Sequence, residues 1–147
     1  MIKIPTRILV VDDEKDFVEM LSLRLEESGE KVSVAYDGQE CLDALAQQSN
    51  DIDVVILDIR MPGMDGIDVL REIKKRFPLI EVIMLTGHAT VESAIEGMKL
   101  GAFDYLLKPC DMDHLLDKVS EAAAKKRQHE EKITNARIKE ITARRAY

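Results

Sequence analysis

The sequence predicts an α/β fold: a doubly wound, five-stranded parallel sheet in the strand order 2-1-3-4-5, with an extended C-terminal helix. Three observations predict it. Strand-like and helix-like stretches alternate as far as residue 108. Ile8-Leu9-Val10-Val11 and Val54-Val55-Ile56-Leu57 are unbroken apolar runs, as expected of strands covered on both faces by helices. Acids stand at the carboxyl ends of both runs, Asp12 and Asp13 after the first and Asp58 after the second, where open α/β sheets bind ligands.

The first strand lies near residues 7–11. A helix follows with Phe17, Val18, Leu21 and Leu25 turned inward, and Gly29 stops it. Val32-Ser33-Val34 is a short second strand. Asp37, with Glu40 three residues later, reads as a capping box for a helix that buries Cys41, Leu42 and Leu45. The third strand, residues 54–57, enters the loop Met61-Pro62-Gly63-Met64-Asp65-Gly66, in which Asp65-Gly66 makes a turn and opens a helix. That helix carries Ile67, Leu70 and Ile73 and ends at Phe77-Pro78. Residues 82–85 form the fourth strand, and its helix carries Val91, Ala94, Ile95 and Met98 before Gly101. Tyr105-Leu106-Leu107 is a short fifth strand. A last helix starts around Asp111 and uses Met112, Leu115, Leu116 and Val119.

Five β-α units with short connections imply right-handed crossovers and helices on both faces. Two strand orders compete, the dinucleotide-binding one and 2-1-3-4-5. Five strands favour the second, which makes the first and third strands neighbours at the switch point. Asp12, Asp13 and Asp58 then share one crevice.

Three acids brought together are costly unless protons or a cation neutralise them, and clustered carboxylate oxygens suit a hard ion such as Mg2+. A blander reading stands beside this one, in which Asp12-Asp13 caps a helix and Asp58 opens a turn. Two more strand ends point at the same crevice: Thr86 closes the fourth strand, and Lys108 follows the fifth and precedes Pro109. The set fits phosphoryl chemistry. A carboxylate-held metal and a Lys ammonium neutralise phosphoryl oxygens, and a hydroxyl donates to another. Asp58, alone on the middle strand, is the candidate nucleophile for an acyl phosphate. Taken singly, Thr86 reads equally as a strand-end hydroxyl satisfied by backbone, Lys108 as a solvated lysine and Tyr105 as a fixed core aromatic.

At 147 residues the chain is one domain with an appendage: residues 1–120 form the body and 121–147 a helical extension or linker. The net charge is −7, but eight Lys/Arg against four Glu leave the tail at +4 and residues 1–120 at −11. An acidic body argues against direct nucleic-acid binding or an anionic membrane surface. Cys41 and Cys110 lack metal-ligand or redox spacing and read as free thiols of a reducing cytosol. With no signal peptide and no segment of membrane-spanning length, the expectation is a soluble, cytoplasmic protein. In the tail, Ile133, Ile138 and Ile141 do not form a clean heptad; a dimerising linker helix and a fraying extension both remain open.

Four stretches together carry a family resemblance: Val10-Val11-Asp12-Asp13-Glu14, Leu57-Asp58-Ile59-Arg60-Met61-Pro62-Gly63-Met64-Asp65-Gly66, Leu85-Thr86-Gly87, and Tyr105-Leu106-Leu107-Lys108-Pro109. In this order and spacing they resemble the receiver domain of bacterial two-component response regulators, the CheY-like branch of the flavodoxin-type fold, over about residues 5–120. The resemblance implies that Asp58 accepts a phosphoryl group from a phosphohistidine on a sensor histidine kinase or phosphotransfer protein. Asp13 and Asp58 would hold Mg2+ directly with the backbone carbonyl of Arg60, and Asp12 would act through water. Lys108 would contact the acyl phosphate, with a cis bond to Pro109. Thr86 and Tyr105 would be the switch pair, reshaping the surface of the fourth helix, fifth strand and fifth helix that a downstream protein reads. Gly87 and Cys110 stand where several relatives carry Ala and Phe.

On this reading the chain is a phospho-acceptor signalling domain, not an enzyme acting on separate substrates. It is either a stand-alone regulator or the receiver of a longer transcription activator whose tail is a dimerising linker, with phosphorylation driving a homodimer. An aspartyl-phosphate hydrolase is disfavoured, since Asp58-Ile59-Arg60 lacks the second acid of an Asp-x-Asp pattern. A nucleotide site is disfavoured by the missing Gly-rich fingerprints.

Overall fold

The computed structural model describes residues 4–145. Five parallel strands, β1 (Arg7–Val11), β2 (Lys31–Ala35), β3 (Val54–Leu57), β4 (Glu81–Thr86) and β5 (Asp104–Leu107), pair in the order β2-β1-β3-β4-β5. Five helices connect and cover them: α1 (Lys15–Glu27), α2 (Gly38–Gln48), α3 (Gly66–Arg76), α4 (Val91–Lys99) and α5 (Met112–Arg145). The predicted order holds. β1, β3 and β4 are almost entirely buried, which is why they read as continuous apolar runs and not as alternating ones.

Alternate residues of the central strands feed two cores. Leu9, Val55, Leu57, Val82 and Met84 meet α2 and α3 through Leu45, Leu70 and Ile73. Ile8, Val10, Ile56, Ile83 and Leu85 meet α1 and α5 through Leu21, Leu25, Leu115 and Val119. Each such side chain contributes about 1.5–3 kcal/mol when fully buried. Asp37 accepts the Glu40 N–H at 2.8 Å and caps α2, the first half of the expected capping box. Asp65 likewise accepts the Ile67 N–H at 3.0 Å. Gly66 is required for a second reason: a Cβ there would fall 2.3 Å from the Asp58 carbonyl oxygen. The start of α3 is pressed against the backbone of the Asp58 loop.

Two features go beyond the sequence reading. Val91, Ile95 and Met98 do not turn inward; they are 77%, 50% and 47% exposed. α4 meets the body at Gly97, close to Ile67, Leu70 and Met84, so its apolar stripe faces outward beside exposed Leu107. The second lies around the expected boundary at residue 120. α5 runs unbroken through it, and Ala122, Ala123 and Lys126 beyond it are buried.

Candidate functional site

The backbone ladder itself aligns the strand ends. Val11 pairs with Leu57 in register, and one step further the Asp58 N–H donates to the Val11 carbonyl at 3.0 Å. The Asp12 N–H donates to Ala35 O at 3.1 Å, and the Lys108 N–H to Thr86 O at 2.9 Å. Asp12, Asp58 and Lys108 are thus each the first position past a strand, still tied to a neighbouring strand, and Thr86 is the last position of β4.

The side chains converge. Lys108 Nζ donates to Asp12 Oδ2 at 2.6 Å, lies 3.3 Å from Glu14 Oε1 and 3.7 Å from Asp58 Oδ2. It also sits 4.1 Å from the centroid of the Phe17 ring. Carboxylate oxygens of Asp12, Glu14 and Asp58 all lie within 4.8 Å of one another. Asp12 and Asp58 are buried, and Asp58 Oδ1 finds no hydrogen-bond partner among the described residues.

Burial pushes the Asp12 carboxyl above its usual range, and the Asp58 charge adds to that; the hydrogen bonds from Lys108 and from the Glu14 N–H offset only part. Lys108 is also held high. Burial pulls it down, but the Asp12 hydrogen bond and the charges of Asp12 and Asp58, with Glu14, outweigh it. Three acids face one ammonium, so the pocket keeps an excess of negative charge and a buried oxygen without a donor. Hard oxygen donors in that condition fit a small divalent cation such as Mg2+.

The remaining predicted residues stand in distinct ways. Asp13 and Arg60 are exposed, and the Asp13 carboxylate is outside the trio of converging acids. Thr86 is fully buried, and its Oγ1 accepts the His88 N–H at 3.1 Å. Accepting that bond leaves the hydroxyl's own proton to donate. Tyr105 is half-buried, its hydroxyl 2.7 Å from Ser93 Oγ, so β5 is linked to the first turn of α4. The Lys108-Pro109 peptide is cis. Both cysteines are free, and burial pushes the Cys41 thiol up to about 12. Glu14 and Phe17 were missed as contacts of Lys108. The available signal was their place, directly after Asp12-Asp13 and one helical turn later, at the mouth of the same crevice.

A sequence profile of the response regulator receiver domain matches residues 8–120. The chain is 42% identical over 129 residues to the transcriptional regulatory protein ZraR of Salmonella typhimurium, covering 87% of this chain and 29% of that protein. To the DNA-binding transcriptional regulator NtrC of Klebsiella pneumoniae it is 38% identical over 134 residues, covering 91% and 28%. It therefore spans under a third of the length of these curated relatives. The crystal structure of a response regulator receiver domain protein from Clostridium thermocellum superimposes with a TM-score of 0.80 at 41% identity, over 84% of this chain and 98% of that one. NtrX from Brucella abortus does so with a TM-score of 0.80 at 31% identity, over 90% and 30%.

Proposed function

The chain belongs to the response regulator receiver family, and from that premise we propose that Asp58 is the residue phosphorylated, by a phosphohistidine on a sensor histidine kinase or phosphotransfer protein. One observation carries the assignment: Asp58 is a buried carboxylate with an unpartnered oxygen, 3.7 Å from the Lys108 ammonium. A carboxylate oxygen kept free of donors stays nucleophilic, and the loop backbone holds it against α3 at Gly66.

Asp12 and Asp58, with Asp13 and the Arg60 carbonyl in the adjoining loops, would hold Mg2+, which when bound supplies charge neutralisation to the phosphoryl oxygens. Lys108 contributes a second positive charge and stays protonated throughout. The Thr86 hydroxyl donates a hydrogen bond to a phosphoryl oxygen with the proton that the His88 contact leaves free. Tyr105 follows, leaving Ser93, and the change reaches the apolar stripe of α4 that a downstream protein reads. The only chemistry is self-phosphorylation and self-dephosphorylation; the domain turns over no separate substrate.

The relatives favour one form of this reading. ZraR and NtrC are transcription regulators more than three times as long as the part matched, so the chain would act as the receiver of a longer activator, its tail a linker that supports a phosphorylation-driven homodimer. DNA contact would then belong to another segment, and the site of action would be the cytoplasm. Among the described residues no helix is long and apolar enough to cross a membrane.

Incubation with acetyl phosphate and Mg2+ should put an acid-labile, hydroxylamine-sensitive phosphoryl group on the wild-type chain and none on Asp58→Asn. Full labelling of that variant removes Asp58 as acceptor.

A further inference from the structure

α1 opens in an unusual way. Its N-cap position is Glu14, whose side chain makes no capping hydrogen bond, although N-caps are normally Ser, Thr, Asp or Asn for that purpose. The carboxylate reaches instead across the crevice to Lys108 Nζ, at 3.3 Å. One helical turn later Phe17, on the same side of α1, places its ring 4.1 Å from the same nitrogen. A cation over an aromatic face beside a carboxylate is held from two directions. Glu14 also lies within 4.8 Å of the Asp12 and Asp58 carboxylates, but its one side-chain hydrogen bond among the described residues is to Lys108, and both groups pull the ammonium toward α1.

We infer that Glu14 and Phe17 are positioning residues that berth the Lys108 ammonium against α1 in the resting state, so that phosphoryl binding at Asp58 must first draw it out of that berth. The inference rests on Asp58 being the acceptor. In the transfer from acetyl phosphate, an Asp58 oxygen forms the new P–O bond while the bond from phosphorus to acetate breaks. Acetate leaves with the electron pair. Lys108 gives up no proton; it changes partners, from Glu14 and the ring to a phosphoryl oxygen. The berth sets how tightly a phosphoryl group is held without touching it.

NMR of the full chain tests this directly. Stacking over Phe17 should shift the Lys108 ε-methylene protons upfield of the other lysines in the resting protein. Saturating Mg2+ with beryllofluoride, a phosphoryl mimic, should move them back toward ordinary lysine positions. Glu14→Gln and Phe17→Leu should each tighten beryllofluoride binding at saturating Mg2+ about two- to five-fold, the scale of one exposed ion pair or cation–π contact. Glu19→Gln, which removes the same charge from an exposed site on α1, should leave it unchanged.

An unshifted Lys108 signal in the resting protein overturns the berth, as does a shifted signal that beryllofluoride leaves in place. So does equal tightening by Glu19→Gln, which would reduce the effect to net charge. A Glu14→Gln variant that weakens Mg2+ binding and does not tighten beryllofluoride would make Glu14 a metal ligand and end the proposal. Should wild-type chain take no phosphoryl label at Asp58, the functional reading fails, while the resting signal still reports whether Lys108 sits over Phe17.

Discussion

At the amino-terminal ends of the strands, far from the acid cluster, lies a second set of buried charges, and its strength can be worked from contacts. Asp53, just before β3, accepts the Arg7 backbone N–H at 2.9 Å, Arg7 Nε at 3.3 Å and Nη2 at 3.0 Å, and Lys126 Nζ from α5 at 3.1 Å. Asp53 and Lys126 are 5% and 4% exposed. The partners are unequal. Asp53 without Lys126 keeps its three bonds from Arg7, whereas Lys126 without Asp53 keeps only half-exposed Glu130, 3.7 Å away. Lys126→Met therefore removes one charged hydrogen bond and should cost about 1.5–3 kcal/mol. Asp53→Ala strands a buried ammonium and should cost about 3–5 kcal/mol. The double variant no longer contains the stranded charge, so it should be more stable than Asp53→Ala alone. Urea unfolding followed by far-ultraviolet circular dichroism measures all three, and for a chain of this length 1 kcal/mol moves Tm by about 2–4 °C. Strict additivity, with the double variant the least stable, would refute the claim that Lys126 depends on Asp53 in this asymmetric way.

The same cluster sets a pH dependence. Burial pushes the Asp53 carboxyl up, but the hydrogen bonds from Arg7 and Lys126 outweigh it and hold it below its usual value. A depressed carboxyl stabilises the fold above its unfolded-state pKa of about 3.9, and that stability is lost as pH falls through the lower folded value. Tm should decline on acidification below about pH 5, and Asp53→Asn should flatten that decline; an equal acid slope in both proteins would contradict it. Gly66→Ala forces a Cβ toward the Asp58 carbonyl at 2.3 Å and should cost about 1–3 kcal/mol, with loss of phosphorylation at temperatures where the variant is still folded. An unchanged urea midpoint would rule out the close approach. Asp13→Ala should weaken Mg2+ binding, measured by calorimetry, far more than Asp68→Ala, since Asp68 is an exposed first-turn residue of α3 paired with Arg71 at 2.6 Å. Equal losses would remove Asp13 from the metal set.

The sheet was legible because burial on both faces leaves a mark that does not depend on partners: the runs at residues 8–11 and 54–57 are apolar whichever helix covers them. The acid site was legible for a related reason. Strand order alone makes the ends of β1 and β3 neighbours, so Asp12 and Asp58 had to meet. For α4, helical spacing shows that Val91, Ile95 and Met98 share a face, not which way that face turns. Gly97 decides it, since a residue without a side chain lets α4 approach Ile67 and Leu70 on the opposite side. Glu14 and Phe17 escaped because their partner is 94 and 91 positions away, and nothing local in a Glu or a Phe names a distant lysine. Lys126 escaped within a basic, Ala-rich stretch where a buried charge looks like every solvated one.

These placements divide the molecule mechanically. α5 leaves the acid site just after Lys108 and Pro109 and is fixed at the far edge by Lys126 to Asp53 and by Lys125 to Glu81, at 3.1 and 3.7 Å. Among the described residues α4 has no comparable anchor: it rests on Gly97, an exposed Arg71–Glu96 pair at 3.3 Å and the Ser93–Tyr105 hydrogen bond at 2.7 Å. Of those three, two are exposed or small, and pairs of that kind contribute at most about 1 kcal/mol. A change at Thr86 or Tyr105 therefore meets little resistance in α4 and much more in α5. The soft element is the one that carries outward-facing Val91, Ile95 and Met98, so the part of the surface easiest to move also has apolar side chains to offer a partner.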